Sequence, residues 1–125
     1  MSKVDTHPLI SIRSSATVQD AARLMADCSI GAVGVTGPDG TFAGIVTERD
    51  LGWFVAQAKD PADTSVGAIT NDFPIVVEGP VEDDVAVERM RRAHVRHLIV
   101  KQGTDLRIVS MRDLLADAGN GKETS

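Results

Sequence analysis

GIVTERDL, residues 44–51, places a glycine and two β-branched residues directly before a hydroxyl at Thr47, with a carboxylate three positions on at Asp50. At an offset of 63 the chain repeats the arrangement as RIVSMRDL, residues 107–114, with Ser110 and Asp113 in the corresponding places. An apolar β-branched run followed by hydroxyl-x-x-acid reads as a strand that ends where a helix begins. The hydroxyl can accept from the amide three residues on, and the acid can accept from the amide of the hydroxyl residue.

The duplication extends upstream of these junctions. At an offset of 65, AARLMADCSIGAVGV (residues 21–35) lies over AVERMRRAHVRHLIV (residues 86–100), matching Met25 to Met90 and Ile30 to Val95. Two half-length copies therefore make up most of the chain, with residues 1–62 holding the first, 63–118 the second and 119–125 a tail. That tail has no apolar anchor and is expected to be mobile.

Each copy changes its hydrophobic period in the same order. Val18, Ala21, Ala22, Met25 and Cys28 recur at three or four, as do Ala86, Val87, Met90 and Ala93, so each set makes an apolar stripe on a helix. Cys28, Met25 and Met90 are expected as core filling. Thr17 and Asp20 form a candidate box at the first helix start. SIGAVGV and RHLIV then read as buried strands, TGPDG and KQGTD as turns, and the junction segments as a second strand running into a second helix. HPLISI and FPIVV supply one strand ahead of each first helix, giving β-α-β-β-α twice. The connection KDPADTSVGAITND is polar apart from residues 66–69.

Composition narrows the function. The 125 residues are 42% hydrophobic and 25% charged, in the range of a globular domain. Thirteen Lys and Arg against eighteen Asp and Glu give a formal charge of −5, and aromatics are 3%. Both values argue against a protein built to grip phosphate backbones or to stack exposed bases. The lone cysteine, Cys28, has no partner for an intramolecular disulfide. No apolar run reaches the roughly 20 residues of a membrane span or the length of a signal peptide, and the expected location is cytoplasmic. No nucleophile with a base, paired carboxylates or Gly-rich phosphate loop with a following Lys marks an enzyme. His94 and His97, with His7 as the only other histidine, lack the spacing of a metal site.

The double copy, the AxxxM helix, the apolar strand and the G-h-h-[ST]-x-x-D junction (h, hydrophobic) resemble the paired cystathionine-β-synthase domain, the CBS pair or Bateman module. The resemblance spans residues ~6–117. It implies an α+β fold in which two pseudo-twofold-related β-α-β-β-α repeats pack through their sheets. It also implies a regulatory module with clefts between the repeats for an adenosine-containing ligand: AMP, ADP, ATP, S-adenosylmethionine or NAD. Carried over, Thr47 and Asp50 serve one site and Ser110 and Asp113 the other, with the aspartate accepting from the ribose hydroxyls. Similar proteins often place phosphate-contacting Arg or His where this chain has Arg96, His97 and His94. The resemblance also implies a homodimer, for which Trp53 and Phe54 are candidate contacts, and an effector protein whose identity the sequence does not carry.

The residues support that chemistry on their own terms. A carboxylate at a helix start is favoured by the macrodipole and accepts up to two vicinal hydroxyls, and a backbone N–H there suits a phosphate oxygen. The same residues also make an ordinary helix cap. A dimerisation or scaffold module that binds no ligand, and a nucleic-acid accessory using residues 91–97, therefore stand as alternative readings. One departure from the motif, Arg107 in place of glycine, either faces solvent or crowds the second site.

Overall fold

The computed structural model describes residues 6–71 and 74–115, so the expected mobile tail at 119–125 lies outside the described residues. The strands are β1 (His7–Pro8), β2 (Ser11–Arg13), β3 (Ala32–Thr36), β4 (Phe42–Thr47), β5 (Val76–Glu78), β6 (His97–Gln102) and β7 (Asp105–Ser110). The helices are α1 (Val18–Cys28), α2 (Glu48–Ala56) and α3 (Asp83–Ala93), with a 3-10 turn at Val66–Ile69 and helical residues at 111–115. The chain is an α+β protein whose two copies carry the same order of elements.

The first compact unit is Ile10–Pro74. Its sheet has the order β2-β3-β4, with β2 parallel and β4 antiparallel to the central β3. Four of the five β3 residues are buried, as expected of an apolar strand covered on both faces. The α1 stripe of Val18, Ala21 and Met25 is buried, and Ala21 and Met25 join Val33, Val35, Val46 and Val66 in one core. Thr17 caps α1: its hydroxyl accepts from the Asp20 amide at 3.0 Å, and its own amide donates to the Asp20 carboxylate at 3.1 Å.

The polar connection is tied into this unit. The amides of Val66 and Gly67 donate to the carbonyls of Ala16 and Ser14 at 2.7 and 3.0 Å, and Val66 is fully buried. Asn71 exchanges two backbone hydrogen bonds with Ile45, at 2.9 and 3.2 Å. Residues on both sides of the expected 62/63 boundary thus belong to one unit.

The second unit takes Leu9 and the residues before it together with those from Ile75 onward. Its sheet order is β1-β7-β6-β5, with β5 parallel to β6 and β7 antiparallel to both β6 and β1. Ala86 and Met90 of α3 are fully buried against Leu98, Val100, Val109 and Leu114.

Three sequence expectations are corrected. HPLISI is not one strand: His7–Pro8 pairs with β7 in one unit, while Ser11–Arg13 pairs with β3 in the other. Pro8, which lacks an amide hydrogen, sits on the outer edge strand, where no ladder bond is forfeited on the open side. Cys28 is exposed rather than core filling. The helix ends there, Ser29 turns into the left-handed region at φ 54°, and Leu24 and Ile30 pack on the core instead. Trp53 and Phe54 part company: Phe54 is buried, and Trp53, one residue earlier on α2, is 64% exposed.

Candidate functional site

Each junction forms where an outer-core strand becomes a helix. In the first unit β4 ends at Thr47 because the Glu48 amide makes the last ladder bond, to the Gly31 carbonyl at 3.0 Å. The Thr47 amide is then turned from β3, and it donates to Asp50 Oδ2 at 2.8 Å. The Thr47 hydroxyl donates to the same oxygen at 3.1 Å and accepts from the Asp50 amide at 3.3 Å. Both donors use Oδ2, so Asp50 Oδ1 has no partner among the described residues. Thr47 and Asp50 are each half-buried, which keeps the carboxylate accessible.

Gly44 has a steric reason. Its φ is +151°, and a Cβ there would lie 2.1 Å from the Asn71 carbonyl oxygen and 2.7 Å from Thr70 Cγ2. Glycine lets the segment holding Thr70 and Asn71 close on β4 just ahead of the junction.

The second junction repeats the backbone and changes the side chains. The Met111 amide donates to the Arg96 carbonyl at 2.8 Å, and the Asp113 amide to Ser110 Oγ at 3.1 Å. The reciprocal bond from the Ser110 amide to the Asp113 carboxylate is not made among the described residues. Instead Asp113 Oδ2 stands 3.6 Å from His7 Nε2 on β1. His7 faces Ile108 in the β1–β7 register, as Asn71 faces Ile45 in the first unit.

Arg107 neither floats in solvent nor lacks a role. Its guanidinium donates to the Thr6 hydroxyl at 2.6 Å, the Thr6 carbonyl at 3.0 Å and Asp105 Oδ2 at 3.2 Å, which holds the edge segment against β7. The basic cluster divides. His97 is the cross-strand partner of Ser110, so the structure brings those two together. Arg96 is exposed and meets the junction through its carbonyl. His94 ends α3 in a left-handed turn at φ 55°, and nothing among the described residues ties it to Ser110 or Asp113.

Sequence reading missed His7 and Asn71 as neighbours of the junctions. Thr6-His7 and Thr70-Asn71 do correspond at an offset of 64, one residue off the helix repeat, and that register was the available signal.

A family model described as the CBS domain matches residues 1–51. A solved protein with CBS domains from Burkholderia ambifaria is 32% identical with a TM-score of 0.80, and the match covers 90% of this chain and 83% of that one. The chain belongs to the CBS-domain family. A CBS domain protein from Pyrobaculum aerophilum, solved in complex with AMP, is 29% identical with a TM-score of 0.75 over 91% of this chain and 93% of that one. The CBS domain-containing protein CBSCBSPB2 of Arabidopsis thaliana is 30% identical over 87% of this chain, which spans only 21% of the plant protein's length. CBS domains are regulatory modules, and both CBS repeats of this chain present a hydroxyl and a carboxylate at the strand–helix junction. Among the described residues no helix is long and apolar enough to cross a membrane.

Proposed function

We propose that this CBS pair is a regulatory module that binds an adenosine-containing ligand of the AMP, ADP or ATP type at its strand–helix junctions and passes its occupancy to an effector protein. The observation that carries this reading is the Asp50 carboxylate. It completes the helix cap through one oxygen only, so the other is available to a ribose hydroxyl without dismantling the cap. The AMP complex of the Pyrobaculum protein supports the same ligand class. S-adenosylmethionine and NAD carry the same ribose and belong in any test. His97, the cross-strand neighbour of Ser110, and Arg96 next to it in the chain are the candidate phosphate contacts of the second junction, where the matching Gly31 and Ala32 carry no such group.

We also propose a homodimer, for which Trp53, 64% exposed on α2, is the candidate contact. Light scattering at micromolar concentration is expected to give twice the chain mass, and Trp53→Ser is expected to lower it.

The complete Thr47–Asp50 box favours a second reading, in which the junction is a cap and the module a scaffold without ligand. A thermal-shift panel of AMP, ADP, ATP, S-adenosylmethionine and NAD separates the two. Ligand at a hundred times its dissociation constant stabilises the fold by about 2.7 kcal/mol, worth several degrees of melting temperature. A flat response to every member at millimolar concentration favours the scaffold.

A further inference from the structure

The two junctions hold their carboxylates by different means. At the first, Asp50 Oδ2 is satisfied by donors from Thr47 within its own helix cap. At the second, Asp113 Oδ2 has His7 Nε2 at 3.6 Å, a side chain that reaches the junction from β1, outside the second repeat as the duplication defines it.

The backbone under that histidine is anchored. Leu9 donates to the Leu106 carbonyl at 3.2 Å, and Arg107 grips Thr6 by its hydroxyl and its carbonyl. Pro8 fixes one backbone dihedral next to it. The imidazole itself is exposed, at 63% against 44% for Asp113, so it can leave the carboxylate without the strand moving. Asn71, which holds the corresponding place beside Ile45, carries no charge and no ring.

We propose that His7 gates the second junction: its imidazole occupies the Asp113 carboxylate, and a ribose that reaches both carboxylate oxygens has to displace it. This rests on the nucleotide reading above. The gate weakens the hold of the second junction on a ribose, whatever its neighbouring cations contribute to a phosphate. It also links the N-terminal edge segment to ligand occupancy, because Arg107 and Asp113 hold neighbouring residues of that segment from the same strand–helix unit. The contact is 3.6 Å long and open to solvent, and exposed pairs of this kind contribute little, so the gate lowers affinity by about two- to fivefold rather than closing the site.

The test is calorimetric titration of the full chain with AMP. Asp50→Ala isolates the second junction, and His7→Ala and His7→Asn are each added to that background, the latter installing the residue found at the first junction. Both histidine variants are expected to tighten AMP binding by about two- to fivefold. A gain cannot come from damage to the edge strand, which would weaken binding. Unchanged or weaker affinity in both variants overturns the gate while leaving the nucleotide reading in place. So does an Asp50→Ala chain that binds no AMP with or without the histidine, provided the wild type binds. Absence of AMP binding by the wild type itself removes the nucleotide reading and the gate together.

Discussion

Gly44→Ala tests whether the first junction is built as described. The new methyl would sit 2.1 Å from the Asn71 carbonyl oxygen, so the segment carrying Thr70 and Asn71 has to retreat from β4. Its retreat breaks two backbone hydrogen bonds between Ile45 and Asn71, of 2.9 and 3.2 Å, each contributing about 0.5–1.5 kcal/mol. Holding an alanine at a φ of +151° costs about 1–3 kcal/mol more. The sum, about 2–6 kcal/mol, is a large share of the roughly 5–15 kcal/mol that stabilises a domain. Urea unfolding followed by far-ultraviolet circular dichroism measures it as a fall in midpoint at unchanged slope. Gly52→Ala is the control, since nothing lies within 4 Å of a Cβ there and the residue is inside α2. That variant is expected to gain about 0.5–1 kcal/mol from helix propensity. A Gly44→Ala chain within about 1 kcal/mol of wild type would refute the close approach.

Met90→Ala, at a fully buried site among Leu98, Val100 and Val109, is expected to cost about 2–5 kcal/mol in the same unfolding assay. Asp20 offers a pH test. The backbone hydrogen bond from Thr17, followed by the side-chain one, holds its carboxyl below the ordinary carboxylate range. A carboxyl lowered in the folded state adds stability above its unfolded titration range, and that stability is lost as pH falls through the folded one. Thr17→Ala removes the side-chain part, so carboxyl NMR is expected to show Asp20 titrating at higher pH, with a smaller acid-dependent loss of stability. Arg107→Ala frees Thr6 and is expected to speed amide exchange at Leu9, whose hydrogen bond to Leu106 closes the edge pairing.

The elements that rest on local period were legible in the sequence. The stripes of α1 and α3, the buried runs of β3 and β6 and the hydroxyl-x-x-acid spacing of both junctions follow from spacing of three, four or two, which a chain cannot hide. The choice of edge partner was not legible. HPLISI has the composition of a strand throughout, but nothing local states that His7 pairs with Ile108 and Ser11 with Gly34. The same distance hid the Arg107–Thr6 bonds, which join positions 101 residues apart, and with them the approach of His7 to Asp113. Two side chains misled: Cys28 is the last residue of α1, where the chain turns away at Ser29, and Phe54, expected beside Trp53 as a dimer contact, is buried in the core.

In the proposed function the junction carboxylates hold a nucleoside. Calorimetric titration of AMP into wild type and into the Asp50→Ala, Asp113→Ala double variant addresses it directly, with circular dichroism establishing that both are folded. The cap at Asp50 contributes about 1 kcal/mol, a loss the fold is expected to survive. Saturable binding to the wild type, a large loss for 2′-deoxy-AMP, and no binding to the double variant are expected. Nucleotide affinity unchanged in the double variant would contradict that function and leave Asp50 and Asp113 as helix caps alone.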